Sequence, residues 1–379
     1  MRIYLYFIIR MKPLLLCGLL LSGGTALAQT ATYQGLPVIQ AHQTQADYRL
    51  GREWVKGNWR IAPEASPDVL ALTLHAGKET VVFRTDQDSI SYTLKPGDAQ
   101  RFYVRLDDGR YALTEVRASA FAVEPLRHER ARPATPYAFR YEAGTNNAYL
   151  AQLRQQYNLD AVVQGAQNDT ERALRLLHWV HQQWDHNGSN QPTKSDALSI
   201  LEEVKLGKQF RCVEYGIVAT SCLNAFGLKS RVLALKTKDV ETTESGAGHV
   251  LLETWLPDLQ KWVLLDGQWD VMPVLRGKPL NAVEFQQAIA SNYKDLEIRS
   301  LSGASKMSYV NWIAPYLYYL DVKFDNREGL GLEREKVNGK GSLMLVPAGA
   351  KEPTVFQKLN PINYCVYTRS LAAFYAKPE

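Results

Sequence analysis

The stretch GKQFRCVEYGIVATSCLNAFG, residues 207–227, predicts a helix that carries Cys212 in its first turn. Apolar side chains recur at the spacing of one helical face, and the cysteine lies on that face. The members of the face are Tyr215, Ala219, Cys222, Leu223 and Phe226. Gly227 is suited to end the helix because glycine adopts a positive φ without strain. The positive end of the helix dipole stabilises a thiolate, which makes Cys212 a candidate nucleophile.

A buried cysteine is more often a small hydrophobic residue, so the role of Cys212 depends on its partners. The stretch GAGHVLLETWLPDLQKWVLLDGQWD, residues 246–270, predicts a β-hairpin in which His249 begins one strand and Asp266 ends the other. A two-residue Pro-Asp turn would place these side chains opposite each other, and a turn through Lys261 would make them diagonal neighbours. Either arrangement predicts a triad in which the cysteine attacks, the histidine transfers a proton and the carboxylate orients the imidazole.

These motifs resemble the transglutaminase-like superfamily, a group of papain-related thiol enzymes. The order Cys, His, Asp matches, as do the cysteine at a helix start, the strand that begins with His and the Trp-x-x-x-Asp strand. The resemblance covers residues 146–290, and the segments GKQFRCVEYG, KSRVLALKTKD, GHVLLETWL and KWVLLDGQ are similar to a bacterial branch. It implies an α+β, papain-like core with Cys212, His249 and Asp266 as the catalytic residues.

The chain departs from the animal enzymes of this superfamily around the cysteine. Those enzymes have Gly-Gln-Cys-Trp, whereas residues 210–213 are Phe-Arg-Cys-Val. The difference disfavours cross-linking of glutamine to lysine. The resemblance also implies that a glutamine or an aromatic residue before the nucleophile lines the oxyanion site. Gln209 is the best-placed side chain for this role, with the Cys212 backbone N–H as second donor, and Gln268 is the competing amide.

We therefore expect a cysteine amidase or peptidase that hydrolyses an amide bond through a thioester. Acyl transfer to an amine is one alternative, and a catalytically silent cell-envelope binding module is another. The expected partner is a peptide or another amide-containing substrate, for example in the cell wall or on a surface protein. The substrate and the oligomeric state are not specified by the sequence.

We expect neither a cofactor nor a metal ion. His178 and His181 are three residues apart on a predicted helix, which is a spacing that metal sites use. Zinc needs a third or fourth convergent ligand, and Asp185, the nearest carboxylate in the sequence, is off that helical face.

Residues 1–28 have the pattern of a signal peptide. Lys12 precedes an apolar run at residues 14–21, and residues 26–28 are the small-residue cleavage motif Ala-Leu-Ala. We expect the mature chain to start at Gln29 and to be located in the periplasm or outside the cell.

Lipidation at Cys17 is an alternative to cleavage, although Leu16 is larger than the small residue that a lipoprotein signal places there. Met11 is an alternative start to Met1.

The formal net charge of the whole chain is +5, and it falls to +2 without the three basic residues of the signal. No basic block remains, so we expect no nucleic-acid partner and no membrane span after cleavage.

Three cysteines remain after cleavage, which leaves at least one thiol unpaired in an oxidising compartment. Cys212 and Cys222 are ten residues apart on one helix, about 15 Å, and cannot pair. A disulfide between Cys222 and Cys365 and two separate buried thiols are both compatible with the sequence, and we favour the second.

The rest of the chain divides by composition. Residues 29–120 alternate short strands with turn signals, which predicts an all-β, sandwich-like N-terminal domain with a spacer or packing role. Residues 121–145 hold four arginines and three prolines without periodicity and predict a linker. Residues 146–300 are expected to form the catalytic core, and residues 301–379 a C-terminal β extension that packs on the core.

Overall fold

A computed structural model describes residues 31–379 except residues 52, 132–136, 143–145 and 328–332. The predicted signal peptide with Cys17, and parts of the predicted linker, lie outside the described residues. The fold is α+β, with a β-rich N-terminal region followed by a core of helices and a mixed sheet, and this confirms the predicted α+β fold class. Within the described part of the chain, no helix is long and apolar enough to cross a membrane.

The N-terminal region forms a five-stranded sheet and a four-stranded sheet. The five-stranded sheet has the order β1 (Thr32–Tyr33), β2 (Leu36–Ala41), β8 (Ala99–Leu106), β9 (Tyr111–Ala120) and β5 (Asp68–Leu74). The four-stranded sheet has the order β4 (Glu53–Arg60), β3 (Gln45–Leu50), β6 (Glu79–Arg84) and β7 (Ser89–Leu94). The sheets pack face to face through Trp59, Phe83 and Phe102, whose rings are 5.3–5.7 Å apart. β2 with β8 and β5 with β9 run parallel, which differs from an all-antiparallel sandwich.

Helices then pack around a central helix. They are α1 (Ala148–Gln156), α2 (Leu159–Val163), α3 (Asp169–His181), α4 (Ala197–Lys205) and α5 (Cys212–Asn224). α5 is the central one: its residues from Glu214 to Asn224 are buried except Ile217, between the other helices and the sheet. Gly216 allows this approach, because a Cβ there would lie 3.2 Å from the Leu251 carbonyl oxygen.

The core sheet has six strands in the order β12 (Lys261–Leu265), β11 (Gly248–Leu256), β10 (Ser230–Lys236), β16 (Tyr319–Lys323), β17 (Ser342–Leu345) and β20 (Cys365–Thr368). Strands from the C-terminal part of the chain therefore continue the sheet that carries His249. β16 pairs antiparallel with β10 through Leu233 and Val322, and β17 pairs parallel with β20.

Short elements complete the fold around this sheet. A three-stranded sheet has the order β14 (Lys278–Pro279), β13 (Met272–Leu275) and β15 (Leu296–Arg299), and β18 (Val355–Phe356) pairs with β19 (Asn360–Pro361). The remaining helices are α6 (Ala282–Ser291), α7 (Lys306–Ile313) and α8 (Leu371–Phe374). Single 3₁₀ turns follow α6 and α7 at Tyr293–Asp295 and Ala314–Tyr316.

A buried ion pair joins the C-terminal helix to the sheet. Arg231 on β10 donates to the Glu253 carboxylate on β11 at 2.7 Å and to the Phe374 carbonyl oxygen at 2.9 Å. Tyr375 donates its hydroxyl to the other oxygen of Glu253 at 3.0 Å. Because both charged side chains are fully buried, each depends on the other for its charge to be compensated.

Candidate active site

Cys212 is the first residue of α5, and Arg211 is the N-cap. The backbone N–H of Arg211 donates to the Glu214 carboxylate at 3.1 Å, and the guanidinium donates to the same carboxylate at 2.7 Å. The residue that departs from the animal Gly-Gln-Cys-Trp motif thus holds the first helical turn in place. The thiol is at the N-terminus of α5, as predicted, and it is partly exposed.

The hairpin of β11 and β12 has the longer of the two turns that the sequence allows. Leu252 pairs with Leu265 and Leu256 with Lys261, so the turn comprises residues 257–260. The two-residue turn is therefore wrong, and His249 and Asp266 are diagonal rather than direct neighbours. The distance between His249 Nε2 and Asp266 Oδ2 is 2.8 Å, which is a hydrogen bond.

Cys212 completes a set of three interacting side chains. Its thiol interacts with the His249 imidazole, whose Nε2 is already bonded to Asp266, so Nδ1 is the ring nitrogen that remains for the cysteine. Burial lowers the pKa of His249, but the Asp266 carboxylate and the neighbouring Cys212 side chain outweigh burial and raise this pKa to about 9. The imidazole is thus held as a cation beside the buried Asp266 carboxylate. This arrangement can supply a nucleophilic thiolate and a proton donor together.

Asp266 is held by four donors. Oδ1 accepts the backbone N–H of Gln268 at 3.0 Å and that of Trp269 at 3.3 Å. Oδ2 accepts the Tyr309 hydroxyl at 3.0 Å in addition to His249. Burial and the carboxylate raise the pKa of Tyr309, so its hydroxyl keeps its proton and donates. The orientation of the carboxylate is therefore fixed on both oxygens.

Aromatic residues from the C-terminal part of the chain cover the imidazole. Trp312 on α7 meets His249 edge to face with ring centroids 4.7 Å apart, and Trp269 packs on Trp312 at 5.1 Å. The ring centroid of Tyr316 lies 6.1 Å from that of the imidazole, and burial and the nearby Cys212 raise the pKa of Tyr316. This aromatic cover excludes water from the His249–Asp266 ion pair, and the exclusion of water strengthens the attraction between the two side chains.

A polar cleft of about 790 Å³ lies between α3 and the segment that precedes α5, and Cys212, His249 and Asp266 are not among the residues that line it. His178 and His181 of α3 form one wall, and Gln209 and Ser302 lie on others. The Gln209 carbonyl oxygen accepts the side-chain amide of Asn190 at 2.9 Å, which ties this segment to the preceding loop. The assignment of Gln209 to the oxyanion site stays a prediction.

The two histidines of α3 hold the loop that follows Asp266. His178 Nδ1 lies 2.8 Å from the buried Asp270 carboxylate, and His181 Nδ1 lies 3.3 Å from the Gly267 carbonyl oxygen. Asp270 also accepts the backbone N–H of Ser302 at 2.7 Å. Among the described residues, no group of three His, Cys, Asp or Glu side chains could hold a metal ion.

The remaining cysteines are separate from the site. Cys222 and Cys365 are buried, and no disulfide joins them in the described structure. Burial and the nearby Asp321 carboxylate raise the pKa of Cys365, so it is a poor nucleophile compared with an ion-paired thiol.

A family model covers the region that supplies the three interacting side chains. Residues 157–267 match the transglutaminase-like superfamily. This transglutaminase-like region contains Cys212, His249 and Asp266. No curated protein matches the chain.

Solved structures are similar to the chain at low identity. A protein from Cytophaga hutchinsonii, provisionally assigned as a cysteine protease, is 10% identical with a TM-score of 0.27, and the match covers 54% of this chain and 71% of that one. Red sea bream transglutaminase is 10% identical with a TM-score of 0.22, covering 50% and 37%. A provisionally assigned protease from Parabacteroides distasonis is 12% identical with a TM-score of 0.20, covering 57% and 56%. The chain thus spans less than two thirds of the last two structures.

Sequence reasoning missed the residues that lie outside the transglutaminase-like region. Tyr309, Trp312 and Tyr316 follow it in the chain, in an aromatic-rich segment that is typical of a hydrophobic core. Their only signal was the density of aromatic residues. His186, just after α3, is also close to the triad: burial and the charge of His249 lower its pKa.

Proposed function

We propose that the protein is an exported thiol hydrolase that cleaves an amide or peptide bond, with Cys212, His249 and Asp266 as its catalytic triad. The observation that carries the proposal is the His249 imidazole, which is bonded to Asp266 through Nε2 and interacts with the Cys212 thiol. Cysteine, histidine and carboxylate in this arrangement suit nucleophilic catalysis, and a binding module does not need them together.

The reaction proceeds in two stages. The Cys212 thiolate forms a bond to the amide carbonyl carbon, and the imidazolium of His249 protonates the leaving nitrogen as the C–N bond breaks. The amine departs and a thioester remains. Neutral His249 then accepts a proton from water, the resulting hydroxide adds to the thioester, and the thiolate leaves with release of a carboxylic acid. Asp266 orients the imidazole and stabilises its cationic form in both stages.

Acyl transfer to an amine is the second candidate within the same mechanism. It uses the same thioester but replaces water with an amine in the second stage. Phe-Arg-Cys-Val in place of the animal motif supports hydrolysis over glutamine-to-lysine cross-linking. Incorporation of a labelled primary amine into a substrate, measured in competition with water, distinguishes the two outcomes.

The thiol chemistry is testable without knowledge of the substrate. Iodoacetamide at about pH 6 should alkylate Cys212 faster than Cys222 or Cys365, because few unperturbed thiols are ionised at that pH. His249→Ala should slow the reaction of Cys212 roughly tenfold or more by removing the cation. Asp266→Asn should have a smaller effect, because the carboxylate acts only through the imidazole. Peptide mapping by mass spectrometry gives the rate at each cysteine.

His42→Ala is the matched control, because His42 is an exposed histidine of the N-terminal region that pairs with Asp107. It should leave the rate at Cys212 unchanged. If Cys212 reacts no faster than Cys222 in the folded protein, the hydrolase proposal fails and the binding module replaces it.

The proposed location is the periplasm or the cell exterior, and the signal-like residues 1–28 support it. Intact-mass analysis of cell-envelope material should give a chain that starts at Gln29 or at the pyroglutamate formed from it. A lipid-modified Cys17 would indicate an anchored form, whereas a chain that starts at Met1 or Met11 would contradict export by cleavage.

A further inference from the structure

Helix α7 lies between the N-terminal β region and the triad. Met307, near its start, packs in the hydrophobic core of the N-terminal sheets. Tyr309, Val310 and Ile313 pack instead in the core beside the six-stranded sheet. One eight-residue helix therefore belongs to two hydrophobic cores.

The C-terminal part of α7 contacts the triad directly. The Tyr309 hydroxyl donates to Asp266 Oδ2 at 3.0 Å, which is the oxygen that also accepts from His249. Both Tyr309 and Asp266 are fully buried, so water does not compete for this hydrogen bond. One turn further on, Trp312 covers the imidazole.

The N-terminal part of α7 is held by the N-terminal β region. Glu53 on β4 accepts the Ser305 hydroxyl at 2.6 Å and the Met307 backbone N–H at 2.8 Å through the same carboxylate oxygen. Ser305 is the N-cap and in turn accepts the Ser308 backbone N–H. A carboxylate at a helix N-terminus satisfies N–H groups that have no partner within the helix and interacts favourably with the helix dipole.

We propose that α7 is a positioning element of the triad, held at its start by Glu53 of the N-terminal β region and joined to Asp266 by Tyr309. The inference rests on the proposed function, because it concerns the same three catalytic residues. The bonding partner of the Tyr309 hydroxyl at the site is Asp266. Tyr309 acts through Asp266: by sharing Oδ2 with His249, its hydroxyl limits how strongly the carboxylate holds the imidazole proton. The N-terminal region is thereby part of the active enzyme rather than only a spacer.

NMR titration of histidine-labelled protein tests the proposal. In Tyr309→Phe the carboxylate loses one donor and its charge acts more fully on His249, so the midpoint of the His249 titration should rise by roughly half to one pH unit. Glu53→Ala releases the start of α7 and should move the midpoint in the same direction. The double variant should show no larger shift than Tyr309→Phe alone, because Glu53 acts through Tyr309. The other titratable groups around the imidazole, Cys212, Tyr316 and His186, are unchanged in these variants.

Two matched controls separate this role from general packing. Tyr293→Phe removes a tyrosine hydroxyl close to α7 whose acidic neighbours are Glu53 and Glu79 rather than Asp266. Glu79→Ala removes a carboxylate from the cleft that Glu53 also lines. Both should leave the His249 midpoint where it is in the unsubstituted protein.

The outcomes distinguish this inference from the function on which it rests. An unchanged midpoint in folded Tyr309→Phe, or equal shifts in Tyr309→Phe and Tyr293→Phe, would overturn the positioning role while fast alkylation of Cys212 still supports the hydrolase. Strictly additive shifts in the double variant would overturn the link to Glu53. If alkylation of Cys212 is not enhanced in the unsubstituted protein, the hydrolase proposal fails whatever the titration shows. The chemical-shift spectrum of each variant establishes that it is folded.

Discussion

At the scale of single residues, Asp266 determines the electrostatics of the site. Two backbone N–H groups hold Oδ1, and two side chains share Oδ2, so the carboxylate is fixed without a charged partner other than His249. Hydrogen bonds to a charged group in a buried setting are stronger than those between neutral groups. The carboxylate therefore keeps its geometry while the charge on the imidazole changes during the reaction.

The raised pKa of His249 predicts how stability depends on pH. The pKa is about 9 in the folded protein and 6.5 for a free histidine, so the folded state binds this proton more tightly than the unfolded state. The stabilisation is fully present below about pH 6.5 and is lost as the pH rises through about 9. Asp266→Asn removes the main attraction that raises the pKa and should flatten this loss. Urea denaturation across this pH range measures the free energy of unfolding.

The control for this prediction is His42→Ala, which should keep the pH dependence of the unsubstituted protein because its side chain is exposed. Equal slopes in Asp266→Asn and the unsubstituted protein would show that the Asp266–His249 pair does not contribute to stability in this range.

At the scale of elements, the reach of the thiol to the imidazole depends on how closely α5 packs on β11. A Cβ at Gly216 would lie 3.2 Å both from the Leu251 carbonyl oxygen and from a Val250 methyl group. Gly216→Val should therefore push the helix away from the strand and lower the free energy of unfolding by about 1–3 kcal/mol. It should also slow alkylation of Cys212, because the thiol moves away from His249.

Gly188→Val is the matched control for this substitution. Gly188 is exposed in the loop after α3, and a Cβ there meets only the His186 ring at an ordinary 3.7 Å. Urea denaturation and the alkylation rate should be close to those of the unsubstituted protein. Equal effects at both glycines would mean that the close approach at Gly216 is not needed.

The elements that hold the triad differ in how far the sequence predicts them. α5 is predictable because its apolar side chains repeat at helical spacing and a glycine follows it. The two strands of the hairpin are predictable from their apolar content, but their register is not, because Pro-Asp fits turns of both lengths. The observed register follows from the pairing of Leu252 with Leu265.

α7 could not be predicted from the sequence. Its residues KMSYVNWI include aromatic and β-branched side chains that favour strands as much as helices. Its helical state depends on contacts that are distant in sequence, with Glu53 at one end and Asp266 at the other. The pairing of Asp270 with His178 could not be predicted either, because the two residues are 92 positions apart in the sequence.

At the scale of the whole molecule, the C-terminal part of the chain contacts the six-stranded sheet in two ways. β16, β17 and β20 extend the sheet beyond β10, while α8 returns towards β10 and β11. The Arg231–Glu253 ion pair stabilises this position of α8. The Arg231 guanidinium also lies 4.2 Å from the Trp262 ring centroid. Removal of this cation should thus affect the C-terminal segment as well as the sheet.

Arg231→Met tests this connection. It leaves the Glu253 carboxylate buried with hydrogen bonds from Tyr375 and the Ala282 N–H but without a cation, so the free energy of unfolding should fall by about 3–5 kcal/mol. Adding Glu253→Gln removes the uncompensated charge and should restore part of the loss.

Arg276→Met, which breaks an exposed pair with Asp295, is the control and should cost less than about 1 kcal/mol. Urea denaturation gives these values, and limited proteolysis after α8 should be faster in Arg231→Met than in Arg276→Met. A double variant as unstable as Arg231→Met would mean that the guanidinium contacts with Phe374 and Trp262, rather than the charge of Glu253, hold the C-terminal segment in place.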